Sequence, residues 1–144
     1  MIMDKFWMKK YLRIPYKVRG HDFDGCDCGG LLRLVYKEEL GIILPDWEDQ
    51  YISTHRESFR TLDSIFDAQT STIGDFPMRV PLDEVQPFDA LVLRIGNARV
   101  HTGIVTKKGR FLHVQEGEHA NIDDYDGLKW KNRLVGVYRH VSRI

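Results

Sequence analysis

Apolar and polar positions along the chain follow two different periods. Up to about residue 69 the spacing is that of helices; from residue 90 onward it alternates with a period of two. Over residues 3–12, Met3, Trp7 and Tyr11 fall four apart with Phe6 beside them, which predicts a short amphipathic helix stopped by Pro15. The loop YKVRGHDFDG follows, rich in Gly and Asp. In CGGLLRLVYKEEL, Leu31, Leu34 and Val35 share one helical face, Leu32 and Tyr36 widen it, and Arg33 and Lys37 leave only a narrow polar stripe. A helix this apolar is central and largely buried. Asp27 is a good N-cap, Gly41 a good C-cap, and Pro45 lies just beyond, so the helix is predicted over 28–40. Residues 46–69 are mostly polar with scattered Trp47, Tyr51, Phe59, Leu62 and Phe66, and predict one or two surface helices; 71–89 is turn-rich and irregular. Four strands then follow: ALVLRI, ARVHTGIV after a turn at Gly96-Asn97, RFLHV after KKG, and LVGVYRH. Helices first and an antiparallel meander second is the order of an α+β protein.

At 144 residues the chain is expected to form a single domain, 1–144, long enough to bury a core without staples. Lys+Arg and Asp+Glu both number 21 and the net charge is zero, so there is no global drive towards nucleic acid or an anionic membrane. No segment approaches the roughly 18 consecutive apolar residues of a membrane span. Asp4, Lys5, Lys9 and Lys10 interrupt the N-terminal stretch, so no secretory signal is read there. The expectation is synthesis in a reducing cytoplasm, where a free thiol persists and from which another agent would deliver the protein. The basic cluster Lys5, Lys9, Lys10, Arg13, Lys17 and Arg19 and the acidic run from Glu116 to Asp126 read first as solvated surface, although the latter follows His113 and could line a groove.

The two cysteines stand one residue apart in CDCGG, at the start of the central helix. A thiol becomes nucleophilic as thiolate, and a helix N-terminus favours that form through its dipole and unpaired N–H groups. Cys28 occupies that position. Gly29 and Gly30 each cost a helix about 1 kcal/mol relative to Ala. Two readings of them stand side by side: clearance for a substrate backbone approaching the thiol, or tight packing against a neighbouring element. A nucleophilic cysteine also needs a base, and the base an orienting partner. Of the six histidines, His101 and His113 lie in predicted strands, where side-chain direction is set by register. A two-residue turn at Lys108-Gly109 would pair His113 with Ile104 and turn it away from His101. A three-residue loop, Lys107 to Gly109, pairs His113 with Gly103 and puts both imidazoles on one face. Three-residue loops commonly end in a left-handed residue, and Gly109 stands there, so the second arrangement is expected, with Gly103 leaving room between the rings.

DCGGLLRLVYKEELGIILP, HTGIV and GRFLHV together resemble the NlpC-type cell-wall cysteine peptidases over about residues 11–138. The resemblance implies a papain-like α+β fold, with N-terminal helices and the nucleophile at the start of a central helix packed on an antiparallel sheet. It implies Cys28 as nucleophile, His101 as general base and His113 as its orienting residue. Tyr16, with the backbone N–H of Cys28, would support the oxyanion, Asp27 would cap the helix, and Gly29, Gly30 and Gly103 would line the substrate pocket. The implied substrate is the peptidoglycan stem peptide, cut at an amide such as that from D-glutamate to diaminopimelate or lysine, with no cofactor. GCDC, LVYKEELGI and NRLVGVYRH resemble the versions carried by phage tails and prophages, which implies tail-tip partner proteins and delivery to the cell envelope with the virion. Two positions depart from the family pattern. Gly29 replaces a larger residue, and PFDALVL replaces PGDLVFF, with Phe88 where the glycine belongs.

Three other readings compete with this one. A zinc site on Cys26 and Cys28 would need ligands two to four residues apart, and a redox pair two intervening residues; one residue separates them. Cys26 is therefore read as a small buried hydrophobe. The non-enzymatic alternative is a structural tail-tip piece with a weak or vestigial site.

Overall fold

Asp27 caps the central helix as its position predicts. Its backbone is extended (φ −88°, ψ −177°) and its Oδ1 accepts the Gly30 N–H at 2.7 Å. The helix, α1, covers Cys28–Val35. The chain then widens into a π-helical turn, Tyr36–Leu40, which Gly41 closes at φ 66°. The predicted extent therefore stands, and the last five residues differ in kind. The computed structural model describes residues 5–45, 75–95 and 99–144. The surface helices expected over 46–69 and the turn at Gly96-Asn97 lie outside those residues.

The N-terminal amphipathic segment is shorter and tighter than predicted, a 3₁₀ helix over Trp7–Tyr11. Both named residues face the core. It ends before Pro15: Leu12 is already extended, and Arg13 is left-handed at φ 77°. The Gly/Asp-rich loop contains a small hairpin, β1 (His21–Asp22) with β2 (Gly25–Cys26), turning through Phe23-Asp24, where Asp22 Oδ1 accepts the Asp24 N–H at 2.9 Å. Strands of two residues carry no readable period.

Six antiparallel strands form the main sheet: β3 (Met78–Arg79), β4 (Ala90–Ile95), β5 (Arg99–Lys107), β6 (Arg110–His113), β7 (Asn121–Asp124) and β8 (Leu134–Arg139). Their order is β3-β8-β4-β5-β6-β7. The predicted meander holds for β4, β5 and β6. It continues into β7, read from sequence as acidic loop, while β8 returns to the far side of β4 rather than extending the meander. A buried ion pair ties that return. Arg139 Nε and Nη2 donate to Asp89 Oδ1 and Oδ2, each at 2.9 Å, and Nη2 also donates to the Glu84 carbonyl.

The two sheet faces bury different cores. Val92, Ile104 and Leu112 pack with Leu31, Leu34 and Val35 of α1 and with Trp7 and Tyr11. The alternate residues Leu91, Leu93, Val105 and Phe111 pack with Tyr125, Trp130 and Val137. Helix α1 lies against β5.

Phe88 has φ 75°, a left-handed conformation that favours glycine. It is 1% exposed and stacks on Trp7 with ring centroids 4.4 Å apart. Burial of the ring, about 3–5 kcal/mol, exceeds the backbone penalty of about 1–2 kcal/mol. Phe88→Gly and Phe88→Ala should both destabilise in denaturant titration. Gly should be the milder by about 1 kcal/mol, because it keeps the backbone unstrained. An alanine variant as stable as the glycine variant would contradict that reading.

Candidate active site

The register of β5 against β6 decides where the histidines point. Ile104 pairs with Leu112 and Val105 with Phe111, so the ladder brings Gly103 opposite His113. Beyond Val105 the register shifts, and Lys107, not Thr106, pairs with Arg110. The connection between paired residues is thus the two-residue turn Lys108-Gly109, with Gly109 at φ 90°. The expected three-residue loop is replaced by a shorter turn plus a bulge at Thr106, and the extra bulge residue restores the same register. Both imidazoles therefore lie on one face, for a reason different from the one expected.

His101 Nε2 and His113 Nδ1 are 2.8 Å apart, a hydrogen bond between two buried rings. His113 Nε2 lies 3.0 Å from Asp123 Oδ2, and Trp130 Nε1 donates to the same oxygen at 3.1 Å. Asp123 is on β7 opposite Phe111, one diagonal step from His113. Trp130 stacks over His101 (5.7 Å, 19°) and meets His113 edge-on (5.3 Å, 87°), while Phe111 lies 4.3 Å from the His113 ring. Burial in this aromatic box lowers the His101 pKa to about 3, with His113 and Lys129 adding to the effect. His113 is also lowered by burial, opposed by its hydrogen bond to Asp123. Both rings are thus neutral near pH 7.

Asp123 and Trp130 were not singled out in the sequence. The signal for Asp123 was present: with QEGEHA as a hairpin loop containing Gly117 at φ 81°, Asn121 and Asp123 fall on the face of His113. For Trp130 it was a lone aromatic in the polar stretch LKWKNR.

Cys28 opens α1, is 8% exposed, and sits on the helix that packs against the strand of His101. Its end of the helix is fixed by backbone bonds. Arg19 N–H and Gly30 N–H both donate to the Asp27 carboxylate. Tyr16 forms a parallel bridge with Cys26: Cys26 N–H donates to Pro15 O, and Lys17 N–H to Cys26 O, each at 3.0 Å. On its other side Tyr16 N–H donates to Glu118 O at 3.0 Å, and Ala120 N–H to Ile14 O at 2.8 Å. The Tyr16 segment thus joins the loop after His113 to the strand just before Cys28.

Cys26 is fully buried, its Sγ 3.2 Å from the Asp22 carbonyl, and burial pushes its thiol up to about 12. His140 caps the C-terminal turn through Ser142. His119 lies in a bridge with Pro15, and His21 is an exposed residue of β1. His55 lies outside the described residues. Among the described residues, no group of three His, Cys, Asp or Glu side chains could hold a metal ion.

The model of the NlpC/P60 family matches residues 13–139. The chain belongs to the NlpC/P60 family. It is similar to gamma-DL-glutamyl hydrolase of Bacillus subtilis (25% identical, 91% of this chain, 27% of that protein). It is also similar to murein DD-endopeptidase MepS/murein LD-carboxypeptidase of Escherichia coli K12 (23%, 99% of this chain, 63% of that protein). It therefore spans about a quarter of the first relative and just under two thirds of the second. Among solved structures, the fold is shared with an NLP/P60 family protein of Staphylococcus aureus (TM-score 0.59, 24% identity, 92% of this chain, 38% of that one). It is shared too with the NlpC/p60 domain of the peptidoglycan hydrolase SagA (TM-score 0.57, 19%, 90% of both chains). This is the papain-like α+β fold that the motifs implied.

Within this NlpC/P60 domain the pocket glycines do not behave alike. A Cβ on Gly29 would meet only Asp27 Oδ1, at 3.9 Å, so the space beside it is open. One on Gly30 would lie 1.7 Å from the Gly20 carbonyl oxygen, so Gly30 serves packing against the β1 approach, not substrate clearance. One on Gly103 would lie 2.5 Å from the Phe111 ring; the room expected between the histidines is filled by Phe111. Accordingly Gly30→Ala should cost about 3 kcal/mol or more. Gly29→Ala should stay within about 1 kcal/mol of wild type, on the stable side through helix propensity. Thermal unfolding of the two variants checks this, and equal stabilities would contradict it.

Proposed function

We propose that this chain is a cysteine peptidase or amidase that hydrolyses amide bonds in peptidoglycan stem peptides. The observation that carries the reading is the buried His101–His113 hydrogen bond on one face of β5, the strand whose other face packs against the helix that Cys28 opens. A nucleophile at a helix start, a base and an orienting partner are the parts that covalent acyl transfer requires. The rest of the described surface offers no comparable set.

In the proposed reaction the Cys28 sulfur attacks the substrate carbonyl. His101 Nε2 is occupied by His113, so Nδ1 is the nitrogen that takes the thiol proton. The Cys28 backbone N–H, at the positive end of α1, and Tyr16 stabilise the oxyanion. His101 then gives its proton to the leaving amine, and a thioester remains on Cys28. Water, deprotonated by His101, releases the acid and restores the thiol. His101 is neutral at pH 7 and so able to accept a proton, while burial makes it a weaker base than a free imidazole. Gly29, with open space beside it, lets the peptide backbone approach. The names of two relatives, a gamma-DL-glutamyl hydrolase and a murein DD-endopeptidase/LD-carboxypeptidase, support a peptide bond of the cell wall as target; the bond from D-glutamate to diaminopimelate or lysine rests on the motif resemblance.

The setting proposed is a phage tail or prophage particle that carries the domain to the envelope alongside tail-tip proteins. It rests on GCDC, LVYKEELGI and NRLVGVYRH. Finding the chain in purified particles by mass spectrometry would support this setting; its absence from them would end it. Activity is tested by digesting purified peptidoglycan. Wild type should release stem-peptide fragments, Cys28→Ala none above buffer, and His101→Ala about 10²–10⁴-fold less. Equal release by wild type and Cys28→Ala would remove the enzymatic reading and leave a structural tail-tip protein in its place.

A further inference from the structure

We propose that Asp123 is a positioning residue that sets the tautomer of both histidines, with Trp130 holding its carboxylate in place. The inference rests on the reading of His101 as base and adds a fourth residue to the site.

The argument follows protons from the outer end inward. Trp130 Nε1 is a donor only, and it donates to Asp123 Oδ2 at 3.1 Å. A carboxylate accepts and has no proton to return. His113 Nε2, 3.0 Å from the same oxygen, must therefore carry the hydrogen. The reverse tautomer would set a nitrogen lone pair against an oxygen lone pair at that distance. A neutral imidazole bears one N–H, so His113 Nδ1 is an acceptor. His101 Nε2, 2.8 Å away, must donate to it. By the same count His101 Nδ1 is left with a lone pair, and that is the atom the proposed reaction uses as base. One carboxylate on the edge strand thus fixes hydrogen positions across two buried rings.

The account also balances charge. When His101 Nδ1 takes the thiol proton, the ring becomes an imidazolium that keeps its Nε2–H on His113. No second proton moves, and His113 stays neutral. The buried positive charge, which desolvation disfavours, is offset across His113 by the Asp123 carboxylate. Glu118 also acts on His113 in the same sense, whereas Lys129 opposes a positive charge on either ring. Asp123 is the one of these groups hydrogen-bonded to the pair, and its side chain is 36% exposed, so it can be replaced without opening the core.

Histidine-labelled protein near pH 7 gives the direct test, through long-range ¹H–¹⁵N correlations that report which ring nitrogen bears hydrogen. In wild type both His101 and His113 should be protonated at Nε2 and bare at Nδ1. In Asp123→Ala, His113 should shift towards the Nδ1–H form, with kcat down at least about tenfold and KM within about twofold. Asp123→Asn can still accept through its carbonyl, so it should keep the wild-type tautomers and recover part of kcat. An Nδ1–H tautomer of His113 in wild type would overturn the proposal. So would an Asp123→Ala protein with unchanged tautomers, or with shifted tautomers and unchanged kcat. The wild-type spectrum needs no turnover, so it judges Asp123 independently of whether Cys28 proves to be the nucleophile.

Discussion

The hydrogen bond between His101 and His113 exists only because β5 and β6 pair in one register. Side chains alternate across a strand, so a slip of one residue would send His113 to the opposite face of the sheet. The bulge after Val105 supplies the residue that a two-residue turn lacks. The core enforces the same choice: Ile104 and Leu112 must both face α1, and they are partners in the ladder. Packing on one face and hydrogen bonding on the other are satisfied together or not at all. Gly103 completes the arrangement by yielding its side-chain space to Phe111, which in turn walls His113.

The same economy of backbone fixes the other half of the site. Cys28 begins α1 because Asp27 caps it, and Asp27 is held by Arg19 N–H as well as by Gly30 N–H. Gly30 lets the helix start sit directly against the Gly20 carbonyl before β1, and Gly20 in turn lets that segment lie against Gly25 of β2. Tyr16 is bonded on one side to Cys26 and on the other to the loop that follows His113. The helix start and the histidine hairpin are thereby connected through three short stretches of main chain, in addition to the side-chain packing of α1 on β5 and β6. Rigid backbone is a suitable frame for groups that must be held within a fraction of an ångström.

What could be read beforehand follows from which signals are local. The cap at Asp27, the extent of the central helix, Gly41, and strands β4, β5, β6 and β8 all have periodic or turn chemistry of their own. Gly109 marked the turn, but the loop length expected from it was wrong, and the common face of His101 and His113 comes instead from the bulge at Thr106, which was not legible. A bulge is decided by what pairs across the sheet, and a single strand's pattern does not show it. β1, β2 and β3 are two residues each, too short for any period. β7 was hidden because Asp123 and Asp124 read as solvated charge, yet one of them faces a buried imidazole. Phe88 in a glycine conformation was visible only as a departure from the family motif; its compensation, the stack on Trp7, is a contact across some eighty residues.

The central claim is that Cys28 carries the acyl group. It is tested most directly by acid-quenching the protein during reaction with soluble stem-peptide fragments and mapping the modified residue by mass spectrometry. The account predicts a thioester adduct on the tryptic peptide containing Cys28, located at Cys28 and absent from Cys26, whose thiol burial holds near pKa 12. Product formed with the adduct on any other residue, or with no adduct under conditions that trap a thioester, would contradict it.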